Sequence, residues 1–405
     1  MKTHILSKRF GLAVLSLLIA WPLTTQAGSY YSRSGVGLLQ YRDGVKATGM
    51  GGLGLAIADS VSIFILNPAT MASVKLTHIQ GEFLYDRADV SLPNTSARFH
   101  DANVNGLSIL FPIKRGYAFA LGIQPYSRSD FSFNNTGRTS SSDSVSYEEI
   151  STGSGGLDNF YLALAGTVGP VRLGLAADFY FGTVRRIWRI NYSSSALGYT
   201  EDEVSTSMQG FGIHGGIHTA LGAWELGAAA GTPVGINAEV DLDTRYGAEF
   251  DPFERSVRLP HWAGVAAAYH PNRRWVLGAQ LRSQFWSSVE TGKLLGAEGV
   301  DSHIAGFGLQ FTPSIDPFEG FLRGLSYRLG WSYAILPYED GFGSKVTEYL
   351  ASAGIGIPFN RGFSRIDFAV EFGKRGDADN PAEENLFRFS ASVNGSERWF
   401  VRRRK

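Results

Sequence analysis

The chain has 405 residues, no cysteine and 37 acidic against 37 basic side chains, so its formal charge is zero. That excludes a disulfide framework or thiolate metal site and argues against a dedicated nucleic-acid binder, which carries a basic excess. Its 49 glycines, 27 phenylalanines, 17 tyrosines and 8 tryptophans suit alternating strands of a lipid-facing sheet better than a soluble α/β enzyme.

Residues 1–27 read as a signal peptide, with a basic start at Lys2, Lys8 and Arg9, an apolar run from Gly11 to Ala20 and a small-residue cleavage site at Thr25-Gln26-Ala27. No other stretch approaches the roughly 18 consecutive apolar residues of a membrane helix. Residues 28–76 lack a strand period, yet Ile57, Val61, Ile63, Phe64, Ile65 and Leu66 call for burial. Within them Gly49 to Gly54 satisfies the G-x-G-x-x-G pattern of nucleotide folds. That reading fails because no strand precedes the glycines and Asn67-Pro68 breaks the helix that should come after them.

From Thr77 onward the chain alternates with period 2. Leu325, Tyr327, Leu329, Trp331 and Tyr333 alternate with small or polar residues, as do Ile366, Phe368, Val370 and Phe372. Strands are expected at about 77–91, 103–113, 117–131, 158–168, 171–192, 205–220, 223–240, 256–270, 275–288, 300–312, 324–336, 343–357, 364–374 and 385–400, giving 14. Their connections alternate between tight turns, such as Lys114-Arg115-Gly116 and Gly169-Pro170, and long polar loops, such as Asn134 to Gly156 and Asn191 to Val204. That parity is what a barrel with two unlike rims requires. The connection from Ser314 to Gly324 breaks it, being long on the short-turn side.

The expected fold is therefore all-β: a 14-stranded antiparallel transmembrane barrel of the outer membrane over 77–400, followed by a basic tail at 401–405. A free sheet edge has no hydrogen-bond partner in lipid, so a spanning sheet must close. Asp178, Arg282, Arg328, Asp367, Glu371 and Arg388 fall opposite the apolar stripes and are assigned to the lumen. A barrel of this size is wider than its own side chains fill, so residues 28–76 are placed inside it as a plug.

The motif Gly49-Met50-Gly51-Gly52, then Ala58-Asp59, then Asn67-Pro68-Ala69 resembles the N-terminal hatch of the FadL family of outer-membrane transporters, and more closely its PorV-like branch. The ending Arg398-Trp399-Phe400, with basic residues to Lys405, is similar to endings in that branch. The resemblance implies a monomeric barrel that captures hydrophobic molecules, such as long-chain fatty acids, and releases them through a side opening at the third strand. Gly122 and Pro125 are the candidate gate there. Proline removes a ladder donor, which gives a gap a physical basis.

No G-x-S-x-G or H-E-x-x-H pattern occurs. His214 and His218 have a helical zinc spacing, but four residues along a strand span about 13 Å, too far for one metal. No enzyme activity, cofactor, metal or nucleic-acid partner is expected. The function expected is passive uptake of hydrophobic small molecules across the outer membrane, gated by the hatch. The alternative is a PorV-like component of a type IX secretion system, with exported proteins or secretion components as partners.

Overall fold

The computed structural model describes residues 28–397 and Trp399, apart from 34, 42, 93–94, 139–144, 195–196, 248–249, 290–298, 315, 317–319, 340–343 and 378. The expected signal peptide and basic tail lie outside the described residues. A single sheet of 18 strands contains all the pairing. One of these is a two-residue inner strand, Leu38–Leu39, and three pairs of strands are single wall strands interrupted for two residues. The wall therefore has 14 strands, all antiparallel.

In chain order they are β1 (Thr77–Leu92), β2 (Thr95–Lys114), β3 (Tyr117–Arg128, resumed at Phe131–Arg138), β4 (Ser146–Val168) and β5 (Val171–Tyr192). Then come β6 (Tyr199–Leu221), β7 (Trp224–Gly231, resumed at Val234–Thr244), β8 (Phe253–Leu259, resumed at Trp262–Asn272), β9 (Trp275–Gln284) and β10 (Ser302–Phe311). The last four are β11 (Ser326–Glu339), β12 (Lys345–Phe359), β13 (Ser364–Arg375) and β14 (Glu383–Glu397). The barrel closes where β14 pairs with β1, from Glu383 opposite Ser91 to Glu397 opposite Thr77. Pro233 and Pro260 fall at two of the interruptions, where a missing ladder donor costs least.

The alternation in sequence becomes a two-faced wall. Leu175, Phe211, Val265, Phe307, Leu329 and Phe372 are exposed on the outer face, while the residues between them point inward. All six charges assigned to the lumen, Asp178, Arg282, Arg328, Asp367, Glu371 and Arg388, are buried. On the lipid side a mid-membrane arginine would cost roughly 2–4 kcal/mol.

The strand count matches expectation, but the long polar loops do not. β4 and β6 run for 23 residues each and β5 for 22, about twice what a tilted membrane strand needs. Most of Asn134 to Gly156 and much of Asn191 to Val204 is ladder rather than loop. β5 has its expected span, 171–192, whereas the projecting ends of β4 and β6 carry few apolar side chains on either face, so little hydrophobic contrast marks them as strand. At the end of the Ser314 to Gly324 connection a 3-10 turn at Leu322–Gly324 leaves Phe321 and Leu322 exposed.

Candidate functional site: the occupied lumen and the opening beside β3

Residues 28–76 pack along the inside of the wall. Their apolar side chains join two inner clusters: Met50, Leu53, Leu55, Ile57 and Phe64 meet alanines of β7 and β8, while Ile63, Ile65, Met71 and Val74 meet β2 to β5. Nearer the long-loop rim, Tyr31, Val36, Leu38 and Leu39 enter a third cluster with Trp286, Leu336 and Tyr338.

The glycine run finds its partners in glycines of the wall. Gly51, at φ 66°, sits so close to β10 and β11 that a Cβ on Gly306 or Gly330 would overlap its backbone. Its N–H donates to Ser352 Oγ at 3.2 Å. Gly49 lies against Gly354, and Gly52, at φ 86°, folds its N–H back to the Ala47 carbonyl at 2.8 Å. Further round, Gly308 faces Met50, Gly227 faces Leu55, and Gly174 faces Pro68 and Ala69. A stripe of inward glycines thus lets two backbones approach closely. Sequence reading missed it, because inward glycine reads only as a small residue on the polar face.

The remaining motif residues anchor the segment by hydrogen bonds. Ala58 N–H donates to Glu225 Oε2 at 3.0 Å. Asp59 bridges Lys46 at 2.9 Å and Arg365 of β13 at 2.6 Å, and Arg365 also binds Asp367, which pairs with Arg328. Asn67 is fully buried and caps the 3-10 turn Pro68–Ser73, accepting from Ala69 N–H at 3.2 Å. Its Nδ2 donates to the carbonyls of Leu55, at 2.7 Å, and of Ile217 in the wall, at 3.0 Å.

His214 and His218 both face inward, and each reaches a carbonyl of the segment: His214 Nε2 lies 2.9 Å from Ile65 O and His218 Nε2 3.0 Å from Ala56 O. His214 Nδ1 meets Asp178 at 2.6 Å. Their spacing is a docking register along a strand. Among the described residues no group of three or more acidic or histidine side chains is arranged to hold a metal ion. Glu348, Arg375, Glu384 and Arg388 form a second inner ion-pair network, tied to the segment through Ser29, whose hydroxyl donates to Glu384 at 2.7 Å.

The wall is not continuous everywhere. The β2–β3 ladder ends at Leu107 opposite Ile123. Beyond it β2 pairs only with β1, and β3 pairs only with β4 and with the inner strand. Leu38 and Leu39 lie opposite Arg128 and Ser127, and Gln40 N–H donates to Tyr126 O at 2.8 Å. Gly122 is not part of this opening: it is paired with Ser108 on one side and Tyr161 on the other, and a Cβ would strike both neighbours. Pro125 lies just past the last rung and keeps its partner Asp158 on the β4 side, where its missing N–H leaves the β4 ladder in place. Residues Leu38 to Tyr41 separate three inner cavities of about 50, 70 and 60 Å3.

The BamG family model matches residues 6–223 and 232–405. No curated protein matches the chain in sequence. Among solved structures, the Pseudomonas aeruginosa FadL homologue superposes with a TM-score of 0.59 at 14% identity, over 88% of this chain and 99% of that one. The Ralstonia pickettii toluene transporter TbuX gives 0.58 at 13% identity, over 88% and 98%, and the Pseudomonas putida toluene transporter TodX 0.56 at 17%, over 90% and 100%. At such identities the likeness is one of fold, that of FadL-like outer-membrane barrels.

Proposed function

The chain belongs to the BamG family, and on that footing we propose that it is an outer-membrane channel for passive uptake of small hydrophobic molecules, with residues 28–76 as its hatch. The observation that carries this is the broken ladder past Leu107 and Ile123, whose free β3 edge is met from inside by the short strand Leu38–Leu39 and by hydrogen bonds to Ser32, Val36 and Gln40 rather than by a wall strand. A molecule descending from the long-loop rim would leave sideways into the membrane once that inner strand lets go, without crossing the packed lower lumen. The moving part is then Leu38 to Tyr41, the residues that lie against the free edge. The neighbours named as toluene transporters and FadL homologue support the substrate class. The test is uptake of a monoaromatic hydrocarbon and of a long-chain fatty acid into proteoliposomes. Entry of either above protein-free vesicles supports the channel; entry of neither ends it.

A second reading has its own observation. Residues 28–76 fill the lumen with buried apolar side chains, which suits a barrel that serves as a PorV-like partner in type IX protein export. Native mass spectrometry of the barrel taken gently from its own membrane separates the two: a monomer with a hydrophobic adduct favours uptake, an assembly holding exported proteins favours export.

A further inference from the structure

Three neighbouring turns of the short-turn rim join β8 to β9, β10 to β11 and β12 to β13. They meet one another: Thr312 N–H donates to the Arg274 carbonyl at 2.8 Å, and a Cβ on Gly324 would lie 3.9 Å from Pro358. Their charge is one-sided. Arg273, Arg274, Arg323 and Arg361 are exposed, and Asp316 is the only acidic side chain among the described residues of these turns. Arg273, Arg274 and Arg361 make no ion pair among the described residues, whereas the inward Arg328, Arg365, Arg375 and Arg388 are all paired with carboxylates. One turn also holds its cation against backbone strain. Asn360 and Arg361 have φ of 51° and 59°, a left-handed conformation that asparagine or glycine enters more readily than arginine.

The same turns carry apolar side chains at the foot of the lipid-facing rows. Trp275 opens the outward row of β9 that goes on to Leu277, Tyr327 opens that of β11, and Phe359 closes that of β12. Beside them Phe321 and Leu322 are 68% and 67% exposed. The Tyr327 hydroxyl donates to the Leu322 carbonyl at 3.1 Å, which fixes that turn against the outer face. A guanidinium fork matches phosphate oxygens, and aromatic side chains at the end of a spanning strand sit at headgroup depth. Because the apolar part of the patch is continuous with the lipid-facing wall, the anion that answers these arginines is one that also carries acyl chains.

We propose that this patch binds an anionic phospholipid of the leaflet on the short-turn side, with its headgroup among Arg273, Arg274 and Arg361 and its chains along the outward rows of β9 to β12. The site is independent of the uptake reading and needs only that the barrel spans the outer membrane.

The test is native mass spectrometry of the full chain in detergent with equal amounts of phosphatidylglycerol and phosphatidylcholine of the same acyl chains. Phosphatidylglycerol adducts exceed phosphatidylcholine adducts at least about fivefold, the factor one basic side chain beside an anionic headgroup contributes. Arg273→Gln, Arg274→Gln and Arg361→Gln together bring the two lipids to parity. Arg361→Asn alone lowers the preference while the heating temperature that abolishes fast gel migration does not fall, because asparagine suits the left-handed backbone; a turn with a merely structural role would leave the preference untouched. Arg255→Gln with Arg258→Gln, two exposed arginines of β8 toward the opposite rim, leaves the preference unchanged. Parity in the parent, a preference that survives the triple substitution, or an equal loss in the β8 control overturns the site. So does displacement of the lipid by millimolar inorganic phosphate, which makes it a site for the free ion, or an acidic protein that occupies the patch of the parent in the lipid's place and is lost from the triple variant.

Discussion

Asp59 of the inner segment and Arg365 of β13 are joined by an ion pair of 2.6 Å, with both side chains nearly sealed from water. The same carboxylate holds Lys46 of its own segment, and Arg365 passes the contact on to Asp367 and Arg328. One aspartate therefore connects the inner segment to a network built into the wall.

Replacing Asp59 with asparagine strands the buried Lys46 and leaves Arg365 with Asp367 alone. Removing one partner of a buried pair costs about 3–5 kcal/mol, far more than an exposed pair is worth. We expect residues 28–76 to become cleavable by protease in the folded barrel, and the heating temperature that abolishes fast gel migration to fall. Asp59→Asn combined with Lys46→Met should be milder than Asp59→Asn alone. Equal sensitivity of all three proteins would mean the bridge does not hold the hatch.

The glycine seats give a second prediction. Gly306→Val and Gly330→Val place side chains where Gly51 lies, although valine itself favours a strand. The barrel should close and the hatch should not seat, so single-channel conductance in planar bilayers should rise. Gly235→Val is the control, since a Cβ there meets nothing within 4 Å. A conductance unchanged from the parent in Gly306→Val and Gly330→Val would show that the seats are dispensable.

The contrast between these glycines and the strands shows what sequence can carry. Strand number and facing were legible because each crossing strand separates lipid from lumen, which writes period 2 into stretches such as Leu325 to Tyr333. Where β4 and β6 run on beyond the apolar stripes the contrast fades, and residues such as Tyr147, Glu148 and Glu149 read as loop. The glycine run at 49–54 stands out in the sequence as small residues, but the positions it packs against are spread over β5, β7, β10, β11 and β12 and share no local signature.

Asp43 predicts a pH dependence. It lies in the inner segment, off the membrane-crossing strands. Burial raises its carboxyl to about 6, against the Leu66 and Ile65 N–H groups and the Arg282 and His214 charges, which act the other way. Its pKa in the unfolded chain is near 3.9. A raised native value means the protonated form favours the docked state, so this contribution is complete below about 3.9 and is lost as pH rises through about 6. Asp59 does not blur that window: burial pushes it up, but Arg365 and Lys46 hold it well below the usual carboxylate range. Backbone amides of the inner segment should therefore exchange more slowly at pH 5 than at pH 7.5, after correction for intrinsic rates. Asp43→Asn, which keeps the accepting oxygen, should flatten the difference, and an unaltered profile in that variant would assign the titration elsewhere.

The proposed gate can be locked. Leu39 and Ser127 are directly opposed across the inner strand and the free edge of β3. Opposed residues of an antiparallel pair have Cα atoms about 4.5–5.5 Å apart, within the range a disulfide spans, and the chain contains no cysteine to interfere. Leu39→Cys with Ser127→Cys should therefore form one defined crosslink on oxidation, tying the inner strand to the wall without altering the outer face. Uptake into proteoliposomes should fall to the level of protein-free vesicles when the protein is oxidised and return when it is reduced, with each single variant indifferent to redox state. Transport at the parent rate through a fully crosslinked barrel would mean that Leu38 to Tyr41 need not move, and the route would have to be sought away from the β2–β3 opening.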